Sequence, residues 1–337
     1  MTKVAVVILN FNGSALLRKF LAGVVTHSAP FPVVVADNGS TDDSAEFVAR
    51  EFPQVILIRI PENRGFCGGY NLALKQVQAE NFVLLNSDVE VTPGWIHPLL
   101  ETMESDASVA AVQPKILSQA RKTHFEYAGA AGGFIDSLGY PFCRGRLFFA
   151  LEEDTHQYDT PMQIFWASGA CMMVRAGVFQ KMGGFDEDFF AHMEEIDLCW
   201  RMQRADYKIL YNGASTVYHV GGGTLSSNNP RKTYLNFKNG LSLLYKNLPA
   251  GELVAKLPVR IVLDWIAALK FGFAGYWADA GSVLKAHGDF FGSFGRERAR
   301  RKNTKTLAFK RLASQYHGLI VWEFFIAGKR KYSQLKR

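Results

Sequence analysis

Through the N-terminal third of the chain, apolar runs of strand length alternate with stretches whose apolar positions recur at helical spacing. Residues 4–9 form an unbroken, largely β-branched run, the pattern of a strand buried on both faces of a parallel sheet. Asn12, Gly13 and Ser14 break it, and Leu16, Leu17, Phe20, Leu21 and Val24 then follow a helical stripe. Residues 32–36, 55–60 and 82–85 read as further strands, with a helix near 69–78. Ser40 or Thr41 is placed to cap the second helix, whose first turn holds Asp42 and Asp43. This β-α-β-α order predicts a doubly wound, Rossmann-like parallel sheet in the α/β class, with ligands beyond the carboxyl ends of its strands. The middle is less regular. Residues 113–162 are rich in glycine and aromatics and read as loops with short strands; 163–174 reads as a strand, and 176–182 and 193–205 as helices. Residues 208–211 read as a strand followed by a loop over 212–223, and from Arg231 a helical stripe (Leu235, Leu241, Leu244, Leu248) runs to Pro249.

Apolar residues make up 48% of the chain and charged residues 20%, which excludes a disordered protein. Cys67, Cys143, Cys171 and Cys199 are scattered without a CxxC pair and read as reduced thiols. The run at 4–9 is too short for a signal core, so a cytoplasmic location is expected. The longest apolar stretch, 259–278, is broken by Arg260, Asp264 and Lys270 and does not read as a span. Charge is unevenly placed: residues 296–337 hold 13 Lys/Arg against two acids, a local +11 that leaves the rest at −4 of the total +7. With Trp265, Phe271, Phe273, Tyr276 and Trp277 ahead of it, this tail predicts a helical, basic appendage over 249–337. It would lie on the cytoplasmic face of a membrane without crossing it. The tail aromatics recur at helical spacing and suit a core or a lipid face, so no nucleic-acid partner is expected.

Each polar cluster of the first part follows a strand: Asn10 and Asn12 the first, Asp37 the second, Asn63, Arg64 and Gly65 the third, and Asn86, Ser87, Asp88 and Glu90 the fourth. Taken singly these are ordinary turn residues; on the shared rim of a parallel sheet they would build one cleft. Asp88 and Glu90, two apart, can share a hard divalent cation such as Mg²⁺ or Mn²⁺ if the backbone there is extended. Glu194, Glu195 and Asp197 crowd the first turn of a helix. They suit its dipole, and their mutual repulsion also suits a general base raised toward neutral pKa. His219 precedes Gly221, Gly222 and Gly223 and is a candidate ligand or base. A Rossmann dehydrogenase is disfavoured because no GxGxxG follows the first strand.

In this order, Asn10-Phe-Asn12, Asp37-Asn-Gly-Ser-Thr-Asp42, Asn63-Arg-Gly-Phe66, Asn86-Ser-Asp-Val-Glu90, Gly183-Gly-Phe-Asp-Glu187 and Glu194-Glu-Ile-Asp-Leu198 resemble the motifs of family-2 glycosyltransferases, in their rhamnosyltransferase-like branch. The resemblance covers about residues 3–248. It implies a GT-A fold over 1–248, with a nucleotide-sugar half (1–112) and an acceptor half (113–248), and inverting transfer from a UDP- or dTDP-linked sugar to a glycan or lipid-linked acceptor. Under it Asn10, Asn12 and Asp37 hold the base and ribose, and Asn63, Arg64, Gly65, Asn86 and Ser87 line the nucleoside and diphosphate. Asp88 and Glu90 match the metal motif, completed in some members by the position of His219. Glu195, or else Glu194 or Asp197, is the base, and Trp166, Gly169 and Asp186 face the acceptor. The alternative is an inactive sugar-nucleotide-binding module.

Overall fold

The structure, a computed structural model, describes residues 1–221, 229–302 and 306–335. Its first part runs β1 (Thr2–Asn10), α1 (Ser14–Ser28), β2 (Val33–Asn38), α2 (Ser44–Glu51), β3 (Ile56–Ile60), α3 (Gly65–Leu74), β4 (Ala79–Asn86), β5 (Val89–Val91), α4 (Ile96–Ser105) and β6 (Val109–Ser118). Four short strands follow as a separate antiparallel sheet: β7 (Gly133–Ile135), β8 (Pro141–Cys143), β9 (Arg146–Leu147) and β10 (Ala150–Leu151). Then come β11 (Met162–Gln163), β12 (Cys171–Arg175), α5 (Ala176–Lys181), α6 (Glu194–Arg204), β13 (Lys208–His219) and α7 (Pro230–Asn247). The chain ends in α8 (Ala250–Phe273), α9 (Trp277–Gly292), α10 (Phe294–Lys302) and α11 (Ile320–Phe325).

The main sheet has the order β11-β13-β6-β12-β4-β1-β2-β3. Strands β4, β1, β2 and β3 are parallel, while β12 enters antiparallel between β4 and β6. Alternate residues of β4 feed opposite cores, Phe82 and Leu84 one and Val83 and Leu85 the other. Both faces are covered, which is why the strand reads as an unbroken apolar run. The strand order reverses at β1, between β4 and β2, and that switch point is where an α/β sheet opens a crevice. In register, Leu9 lies beside Asn86 and Asn10 beside Asp37, so the polar strand ends stand abreast.

Four local expectations are corrected. Helix α3 begins at Gly65 instead of 69, because Asn38 and Asn63 accept from the Arg64 and Gly65 amides and close the preceding loop. A Cβ at Gly69 would come within 2.8 Å of Leu9, so that glycine serves close helix–strand approach rather than a turn. Helix α2 starts at Ser44, behind an Asx turn from Asp42 to the Ser44 amide, without a Ser40 or Thr41 cap. Strand β13 does not stop at 211. It passes an irregularity between Asn212 and Thr216 and continues to His219, so the turn-like Asn-Gly there is a bulge. The 163–174 strand is two short ones, β11 and β12, joined by the segment that carries Gly169.

The C-terminal helices share a core with the sheet domain, to which Leu253, Phe290, Phe309, Ile320 and Phe324 contribute. Phe309 stacks on Trp200 at 4.8 Å. Arg260 and Asp264 do not interrupt an outer face: they turn inward, 3% and 0% exposed, with Arg260 Nε 2.9 Å from Asp264 Oδ1 and the Tyr140 hydroxyl donating to the same oxygen. The outer stripe of α8 is therefore apolar, with Val259, Val262, Trp265, Ile266, Leu269 and Phe273 all exposed. Among the described residues no helix is long and apolar enough to cross a membrane.

Candidate active site

On the donor side, the strand ends are knitted together. Asn10 donates its amide to Asp37, Ser40 and Ser44 at 2.9–3.2 Å, and Asn12, at φ 51, accepts from the Thr41 amide at 2.7 Å. Asp37 is 5% exposed and also accepts from the Ser40 amide. The first amides of α3 are spent inside the protein: Arg64 on Asn38, Gly65 on Asn63, and Phe66 and Cys67 on the Phe190 carbonyl. The α3 terminus thus ties the donor loops to the segment leading into α6, instead of presenting bare amides to an anion. Arg64 is half-exposed and pairs with Glu62 at 2.9 Å. Ser87 lies beside Gly13 at the end of β4, where the Asn86 backbone amide donates to the Ala170 carbonyl.

Asp88 and Glu90 do not converge. The Asp88 carboxylate lies 3.1 Å from His219 Nε2, whereas Glu90 on β5 turns toward α1, with Lys122 and Gln119 on its oxygens. Among the described residues, Asp154, His156 and Asp159 are the group of three ligand-type side chains drawn together, and the Lys115 ammonium already sits on two of them. Glu90 is thereby removed from the metal set. His219 ends β13 instead of lying in a loop; it is 4% exposed and holds Glu126 Oε2 3.1 Å from its Nδ1. Burial opposes its charge, but the carboxylates of Asp88 and Glu126 override that and raise its pKa to about 10. With the imidazole deprotonated on cation binding, the Asp88 carboxylate and His219 Nε2 at the C-terminal rim form a fitting donor pair for a divalent cation, and Glu126 holds the imidazole from behind. Gly222 and Gly223 lie outside the described residues.

The α6 acids divide by environment. Asp197 is fully buried and bound by Arg201 at 2.7 Å, Lys246 at 2.8 Å and Asn247 at 2.9 Å. Burial alone would raise its pKa, but Arg201 and Lys246 hold it well below the usual carboxylate range. That removes Asp197 as a base. Asp186 belongs to the same network, through Lys246 at 2.7 Å and Arg300, and so holds protein rather than facing an acceptor freely. Glu194 and Glu195 have no such partners, and each leaves a buried Oε2 without a hydrogen bond. Burial raises both, Glu195 to about 7, and Glu194 well up with the Glu195 charge adding to it. They follow a strained turn in which Phe190, His192 and Met193 have φ of 61°, 69° and 73°. Asn239, which the pattern did not single out, pins that turn by donating to the Phe189, Ala191 and His192 carbonyls at 2.8–3.0 Å.

Trp166 is also corrected: it is 4% exposed, its indole donates to the Phe134 carbonyl, and its ring fills the space over Gly133. Gly169 is buried against Phe66, whose ring a Cβ there would meet at 3.2 Å. Glu126 and Asn239 were missed because a lone acid in a glycine- and aromatic-rich stretch and a mid-helix Asn carry no local signal.

Residues 5–183, more than half of the chain, match the family described as Glycosyl transferase family 2. The chain belongs to that family. Its relatives include the N-acetylglucosaminyl-diphospho-decaprenol L-rhamnosyltransferase of Mycobacterium tuberculosis, 28% identical over 64% of this chain and 75% of that protein. Another is the Low-salt glycan biosynthesis hexosyltransferase Agl10 of Haloferax volcanii, 24% identical over 61% of this chain and 63% of that one. Among solved structures, GalNAc-T7 with UDP, GalNAc and Mn²⁺ has a TM-score of 0.59 at 14% identity, covering 74% of this chain and 49% of that one. The mannosyltransferase PcManGT of Pyrobaculum calidifontis with GDP-Man and Mn²⁺ scores 0.52 at 15% identity, covering 89% and 83%. The fold of this family-2 member is thus GT-A with C-terminal helices, and its activity is glycosyl transfer in the rhamnosyltransferase-like branch.

Proposed function

We propose that this family-2 enzyme transfers a sugar, with inversion, from a UDP- or dTDP-linked donor to a hydroxyl of a lipid-linked glycan in cell-surface polysaccharide synthesis. The carrying observation is Glu195: a half-buried residue whose inward Oε2 has no hydrogen-bond partner among the described residues, its pKa raised by burial to about 7. Such a group is poised to take the acceptor proton near neutral pH. Burial and the Glu195 charge both push the neighbouring Glu194 carboxyl upward, which disfavours two adjacent charges in the site. Asp197 takes no proton; with Arg201 and Lys246 it fixes the first turn of α6, and Asn239 fixes the turn before it. Asp37 faces the base imide, and Asn10 and Asn12 set the loop around it.

Asp88 and His219 would hold the cation, and one oxygen with one nitrogen donor suits Mn²⁺ better than Mg²⁺, which favours an all-oxygen shell. When bound, it neutralises charge on the diphosphate leaving group. For the location we propose the cytoplasmic face of a membrane, supported by the exposed apolar stripe of α8 and the basic residues near α11. We also take residues 1–248 as the catalytic unit and 249–337 as the membrane-facing one.

The test is turnover of a UDP- and dTDP-sugar panel with Mn²⁺ and a lipid-linked acceptor, reading the anomeric configuration of the product by NMR. Retained configuration, or wild-type transfer by Glu195→Gln, would overturn the mechanism. Donor binding without turnover would favour the inactive binding module.

A further inference from the structure

Beside Glu126, the residue behind His219, two cations stand without an ion-pair partner among the described residues. Arg146 is 8% exposed, donates to the Phe148 carbonyl at 3.1 Å and to Cys143 Sγ at 3.4 Å, and leaves its buried Nε without a partner. Its guanidinium carbon lies 4.2 Å from the Tyr127 ring centre, and the Lys232 ammonium approaches the same ring at 5.5 Å. Among the described residues no carboxylate forms an ion pair with either. Glu126, the acid within electrostatic reach of both, spends its Oε2 on the Ala128 amide and His219. Burying a guanidinium without an anion is costly unless something brings one. The Tyr127 ring is half-exposed, so the pair is open to a ligand on that side.

The same strand pair leads outward along aromatic rings. Phe148, whose carbonyl receives Arg146, packs on Phe324 and Phe325 at 4.9 and 4.8 Å. Phe149, 72% exposed, meets Phe324 edge-on at 4.9 Å. Beyond Phe325 sits the Lys270 ammonium, at the end of the exposed α8 stripe that includes Leu269 and Phe273, while Trp322 and Ile326 stand exposed beside it. Cations at one end and, at the other, an apolar track seated on the buried Phe324 and exposing Phe149, Phe325, Trp322 and Phe273 match an amphiphile with a phosphorylated head and a long hydrocarbon tail.

We propose that Arg146, Lys232 and Tyr127 hold the diphosphate of the lipid-linked acceptor, and that Phe149 and the α11–α8 face carry its hydrocarbon chain. This rests on the acceptor reading above. It gives Arg146 a role that bidentate phosphate recognition demands of an arginine. The acceptor sugar would then lie between the head site and Glu195, whose charge already reaches the neighbouring Cys143.

The test uses the full chain loaded with Mn²⁺ and UDP, so that the donor diphosphate position is filled, and titrates farnesyl diphosphate, inorganic pyrophosphate and farnesol by calorimetry. Wild type should bind farnesyl diphosphate, and Arg146→Gln and Lys232→Gln should each weaken it by about tenfold or more, as expected for loss of a charge-assisted contact. Phe149→Asp should weaken farnesyl diphosphate but leave pyrophosphate unchanged, and farnesol should not respond to the cation variants. A far-UV circular-dichroism spectrum and thermal midpoint at wild-type level certify each fold; if Arg146→Gln fails that check, Lys232→Gln decides. Equal farnesyl diphosphate binding by wild type and Lys232→Gln overturns the proposal. So does a loss of UDP affinity in folded variants, which would assign the cations to the donor. If wild type binds farnesyl diphosphate but no nucleotide, the donor reading falls while the acceptor site stands.

Discussion

The two sides of the cleft treat their polar groups in opposite ways. At the ends of β1, β2 and β3, Asn10, Asn12, Asp37, Asn38 and Asn63 bond to one another and to loop amides, and Asn10 Oδ1 is the side-chain atom there left buried and unpaired among the described residues. Around α6 and β9, Glu194, Glu195, His192 and Arg146 keep buried polar atoms without partners. Buried groups of this kind cost stability, so they mark where a ligand or a proton is expected to complete the structure. A satisfied rim holds its loops still for a donor; an unsatisfied wall holds groups ready for chemistry. The α3 terminus joins the two through the Phe190 carbonyl.

The largest effect that would break this contrast is at Glu195. Glu195→Gln should lower transfer by about 10²–10⁴, the usual contribution of a positioned base, with donor affinity unchanged by calorimetry. Wild-type kcat should rise with pH through about 7 as Glu195 loses its proton. Stability should move oppositely. The native carboxyl, at about 7, binds its proton more tightly than an unfolded one near 4.3. Its contribution is therefore present at acid pH and lost as pH rises through 7. Glu195→Gln should then be more stable than wild type by about 1–3 kcal/mol at pH 8 and no more stable at pH 4, as denaturation at the two pH values reads.

Next is the metal pair. Asp88→Asn, or EDTA, should lower turnover by about 100-fold or more, since even residues behind a ligand are worth 10–100-fold, and Mn²⁺ should restore the EDTA-treated wild type. Asp197→Asn should act on stability: it leaves Arg201 and Lys246 facing a neutral amide, a loss of about 3–5 kcal/mol visible in urea unfolding. Full activity loss with unchanged stability there would return Asp197 to candidacy as base. The smallest effect is at Glu90. Its partner Lys122 is half-exposed, so Glu90→Gln should change stability by under about 0.5 kcal/mol and leave the Mn²⁺ requirement intact. A large rise in the Mn²⁺ needed would restore Glu90 to the site.

The parallel half of the sheet was legible because a strand buried on both faces must be apolar at every position, and β1 and β4 are. That the polar residues after four strands would share one rim followed from parallel order alone. The start of α3 was misplaced because glycine signals both a turn and close packing, and Gly69 serves the second. The true end of β13 was hidden for a similar reason, as Asn-Gly marks hairpin turns and bulges alike.

The sequence by itself thus determined the periodicities, the order of elements and which residues could do chemistry, because these depend on near neighbours and on burial of whole segments. Which of those residues do it was decided in three dimensions. Asp88 meets His219 at the end of β13 and not Glu90 two residues on; Asp197 is claimed by Arg201 and Lys246, while among the described residues Glu195 Oε2 has no partner. Arg260 and Asp264 read as breaks in an apolar helix, yet they face inward and leave its outer stripe unbroken. A charge takes its character from whatever the fold brings within about 4 Å of it, and spacing along the chain does not encode that distance.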